Sequence, residues 1–208
     1  HELHPEGLDG LILCAGVPGS CHDLRLILSL NFFGTISIIK GAYDLLEKKG
    51  GSGVATVSNA ISQGDLRMDL ADILNNNNED ELRILDLVSN LDENDLLTGN
   101  RLYVASKYAL ARWVRRHSAS YAANGVRINA VAPGNVNTSM TATMSVDEKT
   151  ALNALPIPTK YGKETLMEPD EIASAINFLI SKEARGVNGI IMFVDGGTDA
   201  LLNSEKVY

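Results

Sequence analysis

Cysteine is almost missing from this 208-residue chain, and the two copies present, Cys14 and Cys21, sit on or just after one apolar run. They match no metal-ligand spacing and suit no disulfide framework, so free thiols and no metal site are expected. Long hydrophobic runs are missing as well. Asp, Arg or Gly interrupts each apolar stretch before the ~18 residues a membrane span requires, and no charged-then-apolar leader opens the chain. These absences predict a soluble cytoplasmic protein with no membrane partner. Basic charge is also scarce: 18 Lys and Arg stand against 26 Asp and Glu, and the net charge of -8 argues against a nucleic-acid partner.

What is present is a globular composition, 45% hydrophobic and 21% charged, on a chain long enough for one sizeable core. A single domain over 1–208 is expected. The acidic excess is concentrated between Gln63 and Asn100, where ten Asp and Glu stand with only Arg67 and Arg83, while the remaining chain balances at sixteen of each sign. Segment 63–100 therefore reads as a separate acidic helical insertion on a neutral body, one face solvated. Within it Leu70, Ile73 and Leu74, then Leu82, Leu85 and Val88, suggest two short amphipathic helices around the Asn75 to Asn78 tract.

Gly10-Leu-Ile-Leu-Cys14 is continuously apolar and ends in Ala15-Gly16, the pattern of a central parallel strand covered by helices on both faces. After Asp23, a plausible N-cap, Leu24, Ile27, Leu28, Phe32, Ile36, Ile39, Tyr43 and Leu46 recur at helical spacing until Lys48-Lys49-Gly50-Gly51. Further strands are expected at Val54 to Val57, at Arg127 to Val131 and, as a last buried one, at Ile190 to Val194. Helices are expected from Tyr103 to Ala123 and from Pro169 to Ile180, the second with proline at its first position. This alternation predicts the α/β class, with a Rossmann-like doubly wound parallel sheet in three αβα layers.

Tyr103 and Lys107 lie one helical turn apart, so both project from one face. A cation near a phenol favours the phenolate, and the pair predicts a tyrosine pKa brought down from ~10 toward neutrality, where a proton donor or acceptor works best. Such pairs also arise by chance, so their neighbours decide. Leu13-Cys14-Ala15-Gly16, Asn31 within Leu30-Asn-Phe-Phe-Gly34, Asn129-Ala-Val-Ala-Pro-Gly134 followed by Val136 and Thr138, and Val194-Asp-Gly-Gly197 surround the pair in chain order. Together these motifs resemble the short-chain dehydrogenase/reductase family from Gly10 to about Asp199, interrupted by the acidic segment.

The resemblance implies an NAD(P)-dependent oxidoreductase, with NAD or NADP as cofactor and hydride passing between nicotinamide and a carbonyl or alcohol carbon. It gives Tyr103 the proton exchange with the substrate oxygen, Lys107 the nicotinamide ribose hydroxyls, and Asn31 a relay water. Cys14, Ala15 and Gly16 would flank the adenine ribose, while Pro133, Gly134, Val136 and Thr138 would grip the nicotinamide carboxamide. A homodimer or homotetramer is implied as well. The family's serine donor, just after the second strand here, falls on Asn59 by alignment, with Ser58 one place early; alternation along a strand lets only one of them face the site unless the chain bends, so both stay candidates.

The family's Gly-rich phosphate turn is not found in these residues, and the chain enters almost directly on what would be the fourth strand. The fold is therefore expected to lack the first βα units, cofactor binding is expected to be weak, and the choice between NAD and NADP is unread. The insertion is similar to one carried by a subgroup of bacterial hydroxysteroid dehydrogenase/carbonyl reductases and coniferyl-alcohol dehydrogenases. The loop Asn135 to Met167, with Met140, Met144, Leu152, Leu155 and Ile157, would form a lid favouring a hydrophobic alcohol or ketone, or would simply cover the core. Two rival readings are a non-catalytic remnant or scaffold subunit and an isomerase or dehydratase using the same Tyr/Lys chemistry.

Overall fold

A computed structural model describes residues 4–64, 68–76, 81–88, 96–142, 146, 149–150, 155–160 and 166–207. Its centre is a four-stranded parallel sheet in the order β1 (Gly10–Leu13), β2 (Ser52–Thr56), β3 (Arg127–Pro133) and β4 (Ile191–Val194). Val54 in β2 pairs with Ile12 on one side and Asn129 on the other, and Ala130 pairs with Ile191. Parallel neighbours need crossover connections, and helices supply them.

The first crossover runs through α1 (Leu24–Leu28), a π-helical turn (Ser29–Gly34), α2 (Thr35–Gly41) and α3 (Tyr43–Glu47). The Asp23 carboxylate caps its start by accepting the Leu26 N–H at 3.0 Å. The helix expected here thus widens into a π-helical turn that contains Asn31 and runs on to Gly41 before α3 begins. The second crossover comprises a 3-10 turn (Asn59–Ser62), α4 (Met68–Asn76), α5 (Glu81–Val88) and α6 (Leu96–Ala122). Helix α6 begins two turns before Tyr103. The third holds α7 (Ser139–Ala142), a 3-10 turn (Pro158–Lys160) and α8 (Pro169–Ile180), and α9 (Thr198–Leu202) follows β4.

Strand alternation divides the core between two faces. Ala55, Ile128, Ala130 and Ala132 pack with Ile27, Phe32, Leu110 and Trp113 on one side, and Val54 and Val131 pack with Ile172, Ile176 and Leu179 of α8 on the other. Burial of each large aliphatic contributes about 1.5–3 kcal/mol. The three layers are those of a Rossmann-like fold. Each crossover steps the same way across the sheet, yet the first two pass over one face and the third over the other, so they differ in hand and one departs from the right-handed rule. The chain leaving β3 therefore crosses the strand ends before α8 packs behind the sheet.

Helix α8 opens with Pro169 at its first position and a reciprocal cap at Glu168, whose N–H donates to the Glu171 carboxylate at 2.7 Å. At its other end Arg127, from the start of β3, donates to the carbonyls of Leu179 and Ser181 at 2.9 and 3.0 Å. A cation at a helix C-terminus fits the sign of the helix dipole. The helix behind the sheet is thereby fixed to the strand in front of it.

Five expectations need correction. Strand β4 is half-buried because it is one edge of the sheet, and β1, expected to be central and covered on both faces, is the other edge, with Ile12 46% exposed. Leu82 is 82% exposed, and the inward residues of α5 are Ile84 and Val88. Those two join Ala71 and Leu74 of α4 in the same core cluster as α1 and α6, so the acidic segment is fused to the core instead of lying on it. Finally, Leu24–Gly41 does reach the length and mean hydropathy of a membrane span; half of it is buried inside the protein, where Leu24, Ile27, Leu28 and Phe32 serve the core.

Candidate active site

The carboxyl ends of the strands open on a cleft of about 500 Å³. Ligands of open α/β sheets bind at such ends. Cys14 and Gly16 reach it from the turn after β1, Ser58 and Asn59 from the turn after β2, and Tyr103 and Lys107 from α6; Pro133 ends β3, and Gly134, Val136 and Thr138 follow it. Among the expected site residues, Ala15 and Asn31 do not line it. Ala15 is exposed, whereas Asn31 is fully buried behind the wall.

Asn31 has a different task in this geometry. Its amide donates to the Val17 carbonyl at 2.9 Å, and its carbonyl accepts the Val17 N–H at 2.9 Å. One side chain thereby satisfies both backbone groups of a loop residue that has no strand partner. Gly16 sits beside it: an added Cβ would come 3.0 Å from Asn31 Oδ1 and 3.4 Å from Lys107 Nζ. Absence of a side chain at Gly16 keeps this wall open next to the ammonium.

Lys107 is only 5% exposed and donates to the Thr56 carbonyl, the last of β2, at 2.9 Å. Burial brings its pKa down to about 8, with the neighbouring Cys14 pushing weakly the other way. Its Nζ lies 6.0 Å from the centre of the Tyr103 ring. The Tyr103 phenol is raised above its ordinary value because burial disfavours the phenolate, while a hydrogen bond with the Ser58 hydroxyl opposes the rise. This reverses the sequence expectation of a tyrosine tuned downward by its lysine: at this separation, desolvation exceeds the pull of a cation already held by a carbonyl.

Ser58 and Asn59 separate at the end of β2. Strand pairing stops at Thr56, Ser58 keeps an extended backbone (φ -161°, ψ 149°), and Asn59 begins the 3-10 turn. That bend presents Ser58 to Tyr103. Asn59 is 5% exposed, and its amide donates instead to Asp195 at 3.5 Å. Asp195 also accepts the Gly197 N–H at 3.0 Å and the Asp199 N–H at 2.8 Å, which caps α9. Asn59 ties the turn after β2 to the turn after β4.

Other lining residues carried no motif. Ile172, Ala173 and Ile176 of α8, with Met140 and Leu155, add apolar lining, and Val17 to Ser20 with Asn100 line it as well. Gly19 and Gly99 meet backbone to backbone, since a Cβ on Gly99 would collide with the Gly19 carbonyl. The two glycines are a signal the sequence held but did not pair. Of the expected lid, Met140 and Leu155 face the cleft, Ile157 is buried in the core, and Met144 and Leu152 lie outside the described residues.

Comparison with known proteins agrees with this architecture. A family described as enoyl-(acyl carrier protein) reductase matches residues 78–199. A 3-alpha-hydroxysteroid dehydrogenase/carbonyl reductase from Comamonas testosteroni is 32% identical over 95% of this chain and 75% of its own length. The chain belongs to the short-chain dehydrogenase/reductase family. Its class is therefore that of NAD(P)-dependent dehydrogenases and reductases. A cis-4-hydroxycyclohexanecarboxylate dehydrogenase from Sinomonas cyclohexanicum is 41% identical over 48% of this chain, a match spanning 38% of that relative. The crystal structure of a 3-alpha-hydroxysteroid dehydrogenase from Pseudomonas sp. B-0831, complexed with NADH, superposes with a TM-score of 0.83 at 29% identity, covering 99% of this chain and 78% of that one.

The cleft suits the ribose and nicotinamide end of such a cofactor. Gly16 leaves room beside the Lys107 ammonium, and a Cβ on Gly134 would stand 2.9 Å from Asp195, so the backbone there must pass close to the β4 turn and leave its outer side to the cleft. Pro133, Gly134, Val136 and Thr138 form the strip that would hold the carboxamide end.

Proposed function

We propose that this chain is the catalytic part of an oxidoreductase that interconverts a hydrophobic secondary or aromatic alcohol, hydroxysteroid-like in shape, with its carbonyl. The observation that carries the reading is the meeting of Ser58, Tyr103 and Lys107 in one cleft that also has apolar lining residues from α8. The nicotinamide, when bound, supplies or accepts the hydride. Tyr103 holds the proton. A phenol is protonated at neutral pH, so Tyr103 is available as a proton donor, the role that carbonyl reduction needs. Ser58 offers a second hydroxyl to the substrate oxygen, and Lys107 places a buried ammonium where ribose hydroxyls would lie.

Met140, Leu155, Ile172 and Ile176 exclude water from the substrate and favour a carbon skeleton over a sugar. The test is turnover by the purified chain of a panel of steroid ketones, aromatic aldehydes and sugars with NADH or NADPH, read from nicotinamide absorbance. Reduction of the steroid and aromatic members with little action on sugars is the expected result. Failure on every carbonyl while NADH still binds would sink the reading.

A further inference from the structure

We propose that Gln63 is a specificity residue whose carboxamide binds a second acceptor oxygen on the substrate, distinct from the oxygen that reacts. The inference rests on the oxidoreductase reading of the same cleft. Gln63 closes the 3-10 turn that starts at Asn59, with its own N–H donating to the Ala60 carbonyl at 3.2 Å. The turn is held from two sides: Ser62 Oγ donates to the Asn59 carbonyl at 3.0 Å, and Asn203, just beyond α9, donates to the Ser62 carbonyl at 3.0 Å. Its backbone is therefore fixed before any ligand arrives.

The side chain of Gln63 lines the cleft, yet its amide nitrogen is shielded from water and has no hydrogen-bond partner. An unmade hydrogen bond of this kind costs about 1–3 kcal/mol, and folded proteins hold few. Two other buried side-chain atoms share that condition among the described residues, Asn75 Oδ1 and Trp113 Nε1, and neither residue borders the cleft. Binding requires the Gln63 amide to turn toward the cleft by rotation about its last side-chain bonds, so that an incoming oxygen pairs with it. The lining residues Leu155, Ile172 and Ile176 offer a substrate only apolar contact. The unpaired Gln63 donor favours a ligand with a keto or carboxylate oxygen at that place over one with only carbon there, because the latter leaves the donor unpaired.

The experiment uses Gln63→Leu, which keeps the side-chain volume and removes the amide, with two probe pairs of different length: cyclohexanone against cyclohexanedione, and androstanone against androstanedione. For at least one pair, wild type should show a KM on the order of tenfold lower for the dione at similar kcat, the size of one hydrogen bond to a neutral donor. Gln63→Leu should raise the dione KM to that of the monoketone and leave the monoketone unchanged. Its melting temperature should equal or exceed that of wild type, since an unpaired buried donor has gone. A dione preference that survives in Gln63→Leu, or melting several degrees lower, overturns the proposal. Where wild type turns over neither probe, the oxidoreductase reading fails by itself, and calorimetric binding of dione and monoketone to the two proteins still decides the role of Gln63: equal affinities would dismiss it.

Discussion

The two walls of the cleft are built by different means. One is a single helix: Tyr103 and Lys107 sit on α6, one turn apart, and any motion of one carries the other. The facing wall is a set of turns after β1, β2 and β3, each positioned by a tie to another turn or helix, as Asn31 holds Val17 and Asn59 holds Asp195. A helix fixes spacing by its own hydrogen bonds. Turns need outside partners, so their geometry is set by residues distant in sequence.

Removing a group from the helical wall should therefore change chemistry and leave the fold intact. Tyr103→Phe has the largest expected effect, a loss of about 10²–10⁴-fold in kcat, the usual worth of a positioned proton donor. Its melting temperature should stay within the error of the wild-type value. Retention of carbonyl reduction by this variant would remove Tyr103 from the mechanism.

The turn wall should respond differently at two adjacent positions. Ser58→Ala is expected to lower kcat by about 10²-fold with little change in stability, as loss of one donor to a developing oxyanion does. Asn59→Ala should lower kcat by less than about tenfold and cut the melting temperature by about 2–4 °C, because it breaks a cross-tie worth roughly 1 kcal/mol. If Asn59→Ala proves the more damaging to kcat, the division of roles between these neighbours is wrong.

That adjacent pair also marks where the sequence stopped being informative. The strand, helix and motif order was readable from apolar periodicity and from Tyr103, Lys107, Gly134 and Asp195, since those features follow from local spacing. Ser58 and Asn59 were not separable, because alternation says which residues share a face only while the strand lasts, and nothing local shows that pairing stops at Thr56. The π-helical turn at Ser29–Gly34 was hidden for a related reason: the apolar residues on either side of it still fit a helical spacing. In the acidic segment the error was one of phase, with Leu82 placed inward although Ile84 fills that place. The tyrosine shift was misjudged in sign because burial of the phenol and capture of Lys107 by the Thr56 carbonyl are tertiary facts.

The last expected effect is on stability alone: it concerns how the helical wall is held in place, and pH reveals it. Lys107 has a native pKa of about 8 against an ordinary 10.5, so the unfolded chain binds this proton more readily than the native one. Between about pH 8 and 10.5 the unfolded state holds more protons, and stability attributable to this group rises with pH across that window; below it both states are charged and the native state bears the whole burial penalty. Lys107→Met removes the penalty together with the hydrogen bond to Thr56. A pKa gap of this size corresponds to about 3 kcal/mol, so the melting temperature of Lys107→Met relative to wild type should fall by several degrees, on the order of 5–10 °C, between neutral pH and pH 10. Comparing the two proteins at each pH cancels the titration of groups not coupled to Lys107. A difference that stays constant across the window would mean that the ammonium is solvated in solution, and the helical wall would then be as dependent on outside partners as the turns that face it.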